Sequence, residues 1–360
     1  MPSTDLTILV TIRGRRNTLP RVMNYYKSFP AKVIYVDSTP ESSYEFAHMA
    51  SPHTYIHVPQ KSYIQKLSDC LAQVDTKYCI IMCDDDFLTR TSALYSTKFL
   101  EENKNFVACW GQEVSLRDNC LVAETYDYLA KFLPTFDKPT ERVRNCWRHF
   151  NGGLVHALCR TEALRKIFDF HIENKELDAI RYFDKTFAFC LSALGNVKCL
   201  PLCHAVRSDE ESNPSLLRTG NPSLTENWRP HLRFNNDFKN HDLNPLANLV
   251  GSDVSFIYEI HGDLCRGDYR RSFHFNLMKQ KPTRVQDFRD EPDKQYKIEG
   301  RTLYASYGSG GDYNGNEGYY QESSINQNPG ELYPSFNSMT HDDLGVIIRC
   351  VEKFPIAGRA

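Results

Sequence analysis

The sequence predicts an α/β fold, a mainly parallel sheet flanked by helices, with a mixed or helical C-terminal extension. Three observations predict it. Over residues 6–205, short β-rich runs alternate with helix-period segments, the pattern of successive βαβ units. The run Lys77–Cys83 reads as a buried strand and ends abruptly in acid at Asp84. The composition is that of an ordinary globular chain, with 41% hydrophobic, 24% charged and 12% aromatic residues among 360. In such sheets ligands bind at the carboxyl ends of the strands, so the residues just after each strand carry the functional argument.

Taken in order, Leu6–Ile12 is a β-rich run, and Thr18–Phe29 places Leu19, Val22, Met23 and Tyr26 at helical spacing. Lys32–Val36 is a second strand and His53–Val58 a third. Tyr63–Val74 sets Ile64, Leu67, Leu71 and Val74 on one helical face ahead of Lys77–Cys83. Phe106–Gly111 reads as a strand and Ala123–Phe132 as a helix or irregular stretch. Leu154–Cys159 reads as a strand, Thr161–Phe168 as a helix with Thr161 as its N-cap, and Asp178–Leu194 as a long helix ending at Gly195. Lys198–Leu202 is one more strand. Beyond Ser208, Asn, Pro, Ser and Gly accumulate over Ser212–Asn227, a connector or surface loop. Residues 1–211 therefore read as one domain and 212–360 as an extension. Within it Leu243–Leu264 is helical with a break near Gly251, and Tyr307–Gly330 suits an acceptor-contact loop or a disordered excursion.

Charge and cysteine usage exclude several classes. The 43 basic and 45 acidic residues leave a formal charge of −2, which gives no reason to expect nucleic acid or an anionic membrane as the main partner. The longest apolar run, Tyr78–Cys83, is far short of the ~20 residues that cross a bilayer. Arg13, Arg15 and Arg16 follow the apolar Leu6–Val10 instead of preceding it, unlike a secretory leader. The 12 cysteines form no Cys-x-x-Cys pair, and most adjoin Leu, Ile, Phe or Ala, where a reduced thiol serves as a small hydrophobe. The expectation is a reduced, cytoplasmic protein, at most peripheral to a membrane, without structural zinc.

The sharpest chemical feature is Cys83-Asp84-Asp85-Asp86-Phe87. Successive carboxylates repel one another and pair poorly with a core, and a divalent ion supplies the missing positive charge economically. On an extended chain alternate side chains point the same way, so Asp84 and Asp86 would face one ion and Asp85 would face elsewhere. The plainer alternative is a solvated turn with Asp86 capping the next helix. Asp37, just beyond its strand, is placed to accept hydrogen bonds from a base or a ribose hydroxyl, or else to stabilise its own turn.

With Thr11 and Arg13 closing the first strand, the order becomes recognisable. Thr11-x-Arg13, Asn17 and Leu19 with a helix, a strand ending in Asp37, a helix carrying Lys66 and Leu67, and a strand running into an Asp cluster follow one another. Together they resemble the nucleotide-sugar-binding half of GT-A glycosyltransferases of the broad family-two type, over residues 6–207. The resemblance implies a donor-contact set of Thr11, Arg13, Asp37, Lys66, Asp84, Asp85 and Arg207. It also implies manganese or magnesium on Asp84 and Asp86, with His204 completing the metal shell. Arg207 suits a diphosphate clamp because a guanidinium pairs with phosphate oxygens as a fork. Tyr182–Gly195 resembles the family's Glu-Asp helix, in which an Asp at the amino end is the catalytic base. Asp184 holds that position, Phe183 replaces the usual Glu, and Asp178 competes from six residues earlier. Gly152-Gly153-Leu154 with Leu158–Glu162 looks like the acceptor-side strand and helix. Plainer roles stay open for several of these residues: a surface lysine for Lys66, a structural histidine for His204, a helix-terminal charge for Asp184. Trp147, His149 and Phe150 would either stack on pyranose faces or pack in the core.

The function so implied is metal-dependent transfer of a sugar from a UDP- or GDP-type donor to a glycan, lipid-linked or small-molecule acceptor. An Asp base would make the reaction inverting. The alternatives are a retaining GT-A enzyme, a sugar nucleotidyltransferase, or a non-catalytic carbohydrate- or nucleotide-binding module. Gly14-Arg15-Arg16 is only a thin imitation of the basic, Gly-rich loop a nucleotidyltransferase would carry.

Overall fold

The structure, a computed structural model, describes residues 5–14, 17–41, 44–116, 120–124, 135–148, 152–175, 183–208, 238, 241–262, 297–298, 301–306 and 338–353. Its strands are β1 (Leu6–Ile12), β2 (Lys32–Asp37), β3 (Thr54–His57), β4 (Tyr78–Cys83), β5 (Asp86–Leu88) and β6 (Phe106–Leu116). They continue with β7 (Cys120–Glu124), β8 (Leu158–Arg160), β9 (Asn196–Ser208), β10 (Lys297–Ile298) and β11 (Arg301–Ser306). All join one sheet in the order β10-β11-β7-β6-β8-β4-β1-β2-β3, with β9 beside β6 and β5 beside β9. β1 pairs parallel with β2 and with β4, and β2 with β3. Past β4 the sheet is mixed, because β8 runs antiparallel to both β4 and β6.

Parallel neighbours need crossover helices. α1 (Leu19–Tyr26) joins β1 to β2, α2 (Tyr44–Met49) joins β2 to β3, and α3 (Tyr63–Leu71) joins β3 to β4. From β1 the chain moves outward to β2 and β3, then returns to the far side of β1 as β4. Strand order therefore reverses between β1 and β4, and such a reversal opens a crevice at the strands' carboxyl ends.

Strand alternation assigns the two buried faces. Ile8, Val10, Tyr35, Ile80 and Met82 pack under α1, α4 (Arg90–Glu102) and the helix Ser338–Lys353. Leu9, Val36, Cys79 and Ile81 pack under α3 and the helices Pro139–Arg148, Thr161–Glu173 and Phe183–Leu194. Each large apolar side chain buried this way stabilises the fold by ~1.5–3 kcal/mol. α1 carries Pro20 in its first turn, where the missing N–H would have no helical partner anyway. α3 starts on Ser62, whose hydroxyl accepts a hydrogen bond from the Gln65 N–H at 3.2 Å.

Several expected elements change. β6 runs on to Leu116 and β9 on to Ser208, because the two strands pair with each other over their lengths and each supplies the other's ladder partners. Leu154–Cys159 is not one strand: a 3₁₀ turn over Gly152–His156 precedes β8. Thr161 is not the N-cap, since its hydroxyl donates to Thr76 O at 2.7 Å and Arg160 takes the cap position. Ala123 and Glu124 belong to β7, the parallel mate of β11. The break near Gly251 is present: Asn244–Leu249 is helical, Gly251 adopts φ +64°, and a helix resumes over 254–262. The connector Ser212–Asn227, the loop Tyr307–Gly330 and the expected helix start at Asp178 lie outside the described residues.

Late elements of the chain join the sheet and core of the early ones. β11 extends the sheet beside β7, and Asp343 Oδ2 accepts a hydrogen bond from Thr91 N at 2.8 Å in the first turn of α4. Asn24 Nδ2 of α1 donates to Cys350 Sγ at 3.3 Å. No helix among the described residues is long and apolar enough to cross a membrane.

Candidate active site

The crevice between β1 and β4 is built on a buried ammonium. Thr11 Oγ1 donates to Met82 O at 3.3 Å, tying β1 to β4, and reaches the Tyr63 phenol as well. Gly14, at φ +72°, turns the chain so that its N–H meets Thr39 Oγ1 at 2.9 Å, and Arg13 is exposed on this turn. α3 turns Lys66 toward the sheet together with Leu67 and Cys70. Lys66 Nζ donates to Ile12 O at 3.0 Å and to Ser38 Oγ at 3.1 Å, and the residue is only 2% exposed. It is not a surface lysine. Burial lowers its pKa to about 8; the charges of Asp84 and Asp37 oppose that fall, and Arg13 adds to it. The group is therefore mainly protonated at neutral pH.

Asp37 ends β2 fully buried. Its Oδ1 accepts a hydrogen bond from Thr39 N at 2.8 Å and its Oδ2 one from the Tyr55 hydroxyl at 2.5 Å. The carboxylate closes its own turn and is steadied from β3. Each carboxylate oxygen has two lone pairs, so these bonds alone do not exhaust its capacity to accept from a ligand.

The Asp cluster divides. Asp84 and Asp85 form the turn between β4 and β5, and this turn breaks the extended-chain alternation that would set Asp84 and Asp86 on one ion. Asp84 is buried and its charge acts on Lys66. Asp86 opens β5 directly across from Arg207 of β9. Burial raises the Asp86 pKa and the Asp85 charge raises it further, while His156 and Arg207 act in the opposite direction. Arg207 Nη1 also lies 3.6 Å from Glu113 Oε2, and Glu113 Oε1 accepts from Trp110 Nε1 at 3.3 Å.

Among the described residues, one group of His, Cys, Asp or Glu side chains is close enough to share a cation: Cys83, Asp86 and His156, with ligand atoms all within 4.8 Å of one another. His156 Nδ1–H donates to Ile81 O at 2.9 Å, which turns Nε2 toward Asp86 Oδ2 at 3.8 Å. A carboxylate whose charged form is disfavoured by burial, beside an imidazole held in place, is a donor set that could take a divalent cation. Asp84 is not part of this group.

His204 is not part of it either, contrary to the sequence expectation. Ser92 Oγ donates to its Nδ1 at 2.6 Å, and its Nε2–H donates to His156 O at 2.7 Å. Burial lowers its pKa to about 4, so the ring is neutral with both nitrogens engaged. It supports the His156 backbone from below.

Asp184 opens the helix Phe183–Leu194 half-buried, its Oδ1 accepting from Lys185 N at 2.9 Å at the positive end of the helix dipole. The adjacent Phe183 ring packs on Tyr63 at 5.2 Å, and Lys66 Nζ lies 5.7 Å from the Tyr63 ring. The helix start thus borders the crevice. The competing Asp178 lies outside the described residues, as do His149 and Phe150. Trp147 is a core residue: it packs on Phe189 and Phe238, and its Nε1–H donates to Lys185 O at 3.1 Å.

Sequence reasoning missed Cys83, His156, Tyr55 and Tyr63 as parts of the site. Cys83 stood beside the Asp run, and its position at the strand end was the available signal. His156 has no spacing relation to the Asp cluster; it arrives through the 3₁₀ turn.

The chain is thus an α/β protein whose polar centre occupies the switch point of its sheet. No protein-family model matches it, and no curated protein matches it. Among solved structures it is similar to S. aureus TarS 1-349, with a TM-score of 0.44 and 12% identity over 80% of this chain and 75% of that one. The same fragment in complex with UDP-GlcNAc gives 0.43 and 12%, over 68% and 71% of the two chains. For S. aureus TarS the values are 0.39 and 12%, over 68% of this chain and 43% of that one, so the chain spans less than half of that protein's length.

Proposed function

We propose that the protein is a GT-A-type glycosyltransferase that transfers a sugar from a nucleoside diphosphate sugar to an acceptor hydroxyl. The observation that carries the proposal is the placement, at the carboxyl ends of the adjacent strands β1 and β4, of a buried ammonium and a cation-competent ligand set. A diphosphate leaving group calls for both kinds of positive charge. A divalent ion, when bound at Asp86, would neutralise charge on the leaving diphosphate; the sequence resemblance implies manganese or magnesium there, whereas the thiol and imidazole beside Asp86 favour a softer ion.

The chain's own residues account for the other roles. Lys66 and Arg13 present cations to the donor's phosphates, and Asp37 accepts from its nucleoside. Arg207, across from Asp86, clamps the diphosphate. Asp184, at a helix start, takes the proton of the acceptor hydroxyl, and attack opposite the leaving group inverts the anomeric centre.

The test is calorimetric titration of UDP and GDP with and without divalent ions, followed by donor turnover. Binding of a nucleoside diphosphate together with release of it from the sugar nucleotide supports the proposal. Failure to bind either nucleotide would overturn it. Release of pyrophosphate from a nucleoside triphosphate and a sugar phosphate would identify a nucleotidyltransferase instead.

A further inference from the structure

We propose that Cys83, Asp86 and His156 form an open binding site for a thiophilic divalent ion of the zinc type. The three ligand atoms already lie within 4.8 Å of one another. A tetrahedral zinc site with bonds of ~2.0–2.3 Å holds its ligand atoms ~3.3–3.8 Å apart. The His156 Nε2 to Asp86 Oδ2 separation is 3.8 Å, so this pair already has the spacing of two ligands on one zinc ion.

The supporting structure fixes each ligand separately. Cys83 is the last residue of β4 and is only partly buried. Asp86 is held on β5 by its ladder to β9. His156 has its tautomer and ring direction set by Ile81 O, the kind of outer hydrogen bond that ligating histidines make. Its own carbonyl is held by His204.

The donor types decide the ion. A thiolate is soft, imidazole is borderline and carboxylate is hard; this mixture suits Zn²⁺, Co²⁺ or Fe²⁺, whereas Mg²⁺ prefers oxygen ligands throughout. Three protein ligands leave a fourth position for water or a substrate oxygen, the arrangement of a reactive site and not of a closed structural one. The carboxylate pair implied by the sequence is thereby replaced by a thiol-containing set. The inference does not depend on the glycosyltransferase reading, because ion binding is read without any sugar.

The experiment uses the full chain, stripped with chelator and titrated with Co²⁺ as an optical probe, then with Zn²⁺ in competition. The expected result is stoichiometric binding with a thiolate-to-cobalt charge-transfer band that zinc abolishes. Cys83→Ser should lose the band, and His156→Ala should weaken zinc binding by at least ~100-fold, beyond the loss typical of an outer-sphere partner. If Cys83→Ser does not fold, mapping of thiol labelling in the wild-type chain decides the matter, since zinc should protect Cys83. Absence of the band in the wild type, a band unchanged in Cys83→Ser, or labelling of Cys83 that zinc does not slow would each overturn the site. Zinc binding without sugar transfer would uphold this site and refute the function proposed above. Transfer with magnesium and no thiolate band would do the reverse.

Discussion

Replacing Lys66 by methionine removes one charge from the crevice and keeps most of the side chain's reach. Its effect depends on pH. Nζ is buried against Ile12 O and Ser38 Oγ, and burial lowers its pKa from 10.5 to about 8. Below pH 8 the amine is protonated in the folded and the unfolded chain alike. Between pH 8 and 10.5 the folded chain has released the proton and the unfolded chain still holds it. The unfolded state then binds more protons, so the stability conferred through this group rises with pH across that window. At ~1.4 kcal/mol per pH unit the full rise is ~3 kcal/mol. Buried phenols and thiols such as Tyr35 and Cys79, whose pKa values are raised, act in the opposite sense, so the wild type alone does not isolate the lysine. The difference between wild type and Lys66→Met does. Urea-unfolding free energies should separate in favour of the wild type by up to ~3 kcal/mol as pH rises through the window. A difference that stays constant with pH would refute the downshift that burial imposes on the ammonium.

Four further outcomes are expected. Asp184→Asn should lower turnover by ~10²–10⁴ with nucleotide affinity unchanged by calorimetry, and normal turnover would remove it as the base. Tyr55→Phe deletes the hydrogen bond to the Asp37 carboxylate and should cost ~1.5–3 kcal/mol in urea unfolding. Gly111→Ala would set a Cβ 2.7 Å from Leu202 O, so β9 must shift, and calorimetric unfolding should show a loss of ~1–3 kcal/mol. His204 has its pKa lowered from 6.5 to about 4, so the unfolded chain alone takes up its proton in that range and stability is lost as pH falls through it. His204→Gln should remove up to ~3 kcal/mol of that acid sensitivity, read as a flatter dependence of unfolding free energy on pH between the two values.

The strands β1, β2 and β4 and the helices α1 and α3 were legible because apolar periodicity and burial coincide there. β6 and β9 were read too short, since their later halves contain Gln112, Glu113, His204 and Arg207, polar residues that the ladder holds in place whatever their hydrophobicity. The helix Ser338–Lys353 went unread, although its Leu344, Ile347, Ile348 and Val351 belong to the core. In the site, the strand ends that line the crevice were legible from residue order, whereas the burial of Lys66 was not, since a lysine on an amphipathic helix reads as a surface residue. The partition of Asp84 from Asp86 was not, because it depends on a turn where extended chain was assumed. His156 was invisible for a different reason. Only the antiparallel docking of β8 on β4 brings the preceding turn to the Asp cluster.

The contact between Asn24 and Cys350 joins residues 326 positions apart. Translation at ~5–20 residues per second takes roughly 15–65 s to cover that interval. For that time the nascent chain carries β1 and α1 without the helix Ser338–Lys353 that completes their layer. Leu19, Val22, Ala93 and Leu100 share a core with side chains not yet synthesised. The face of the sheet bearing α1 and α4 therefore finishes folding late, and on the ribosome it is the face that chaperones would find open.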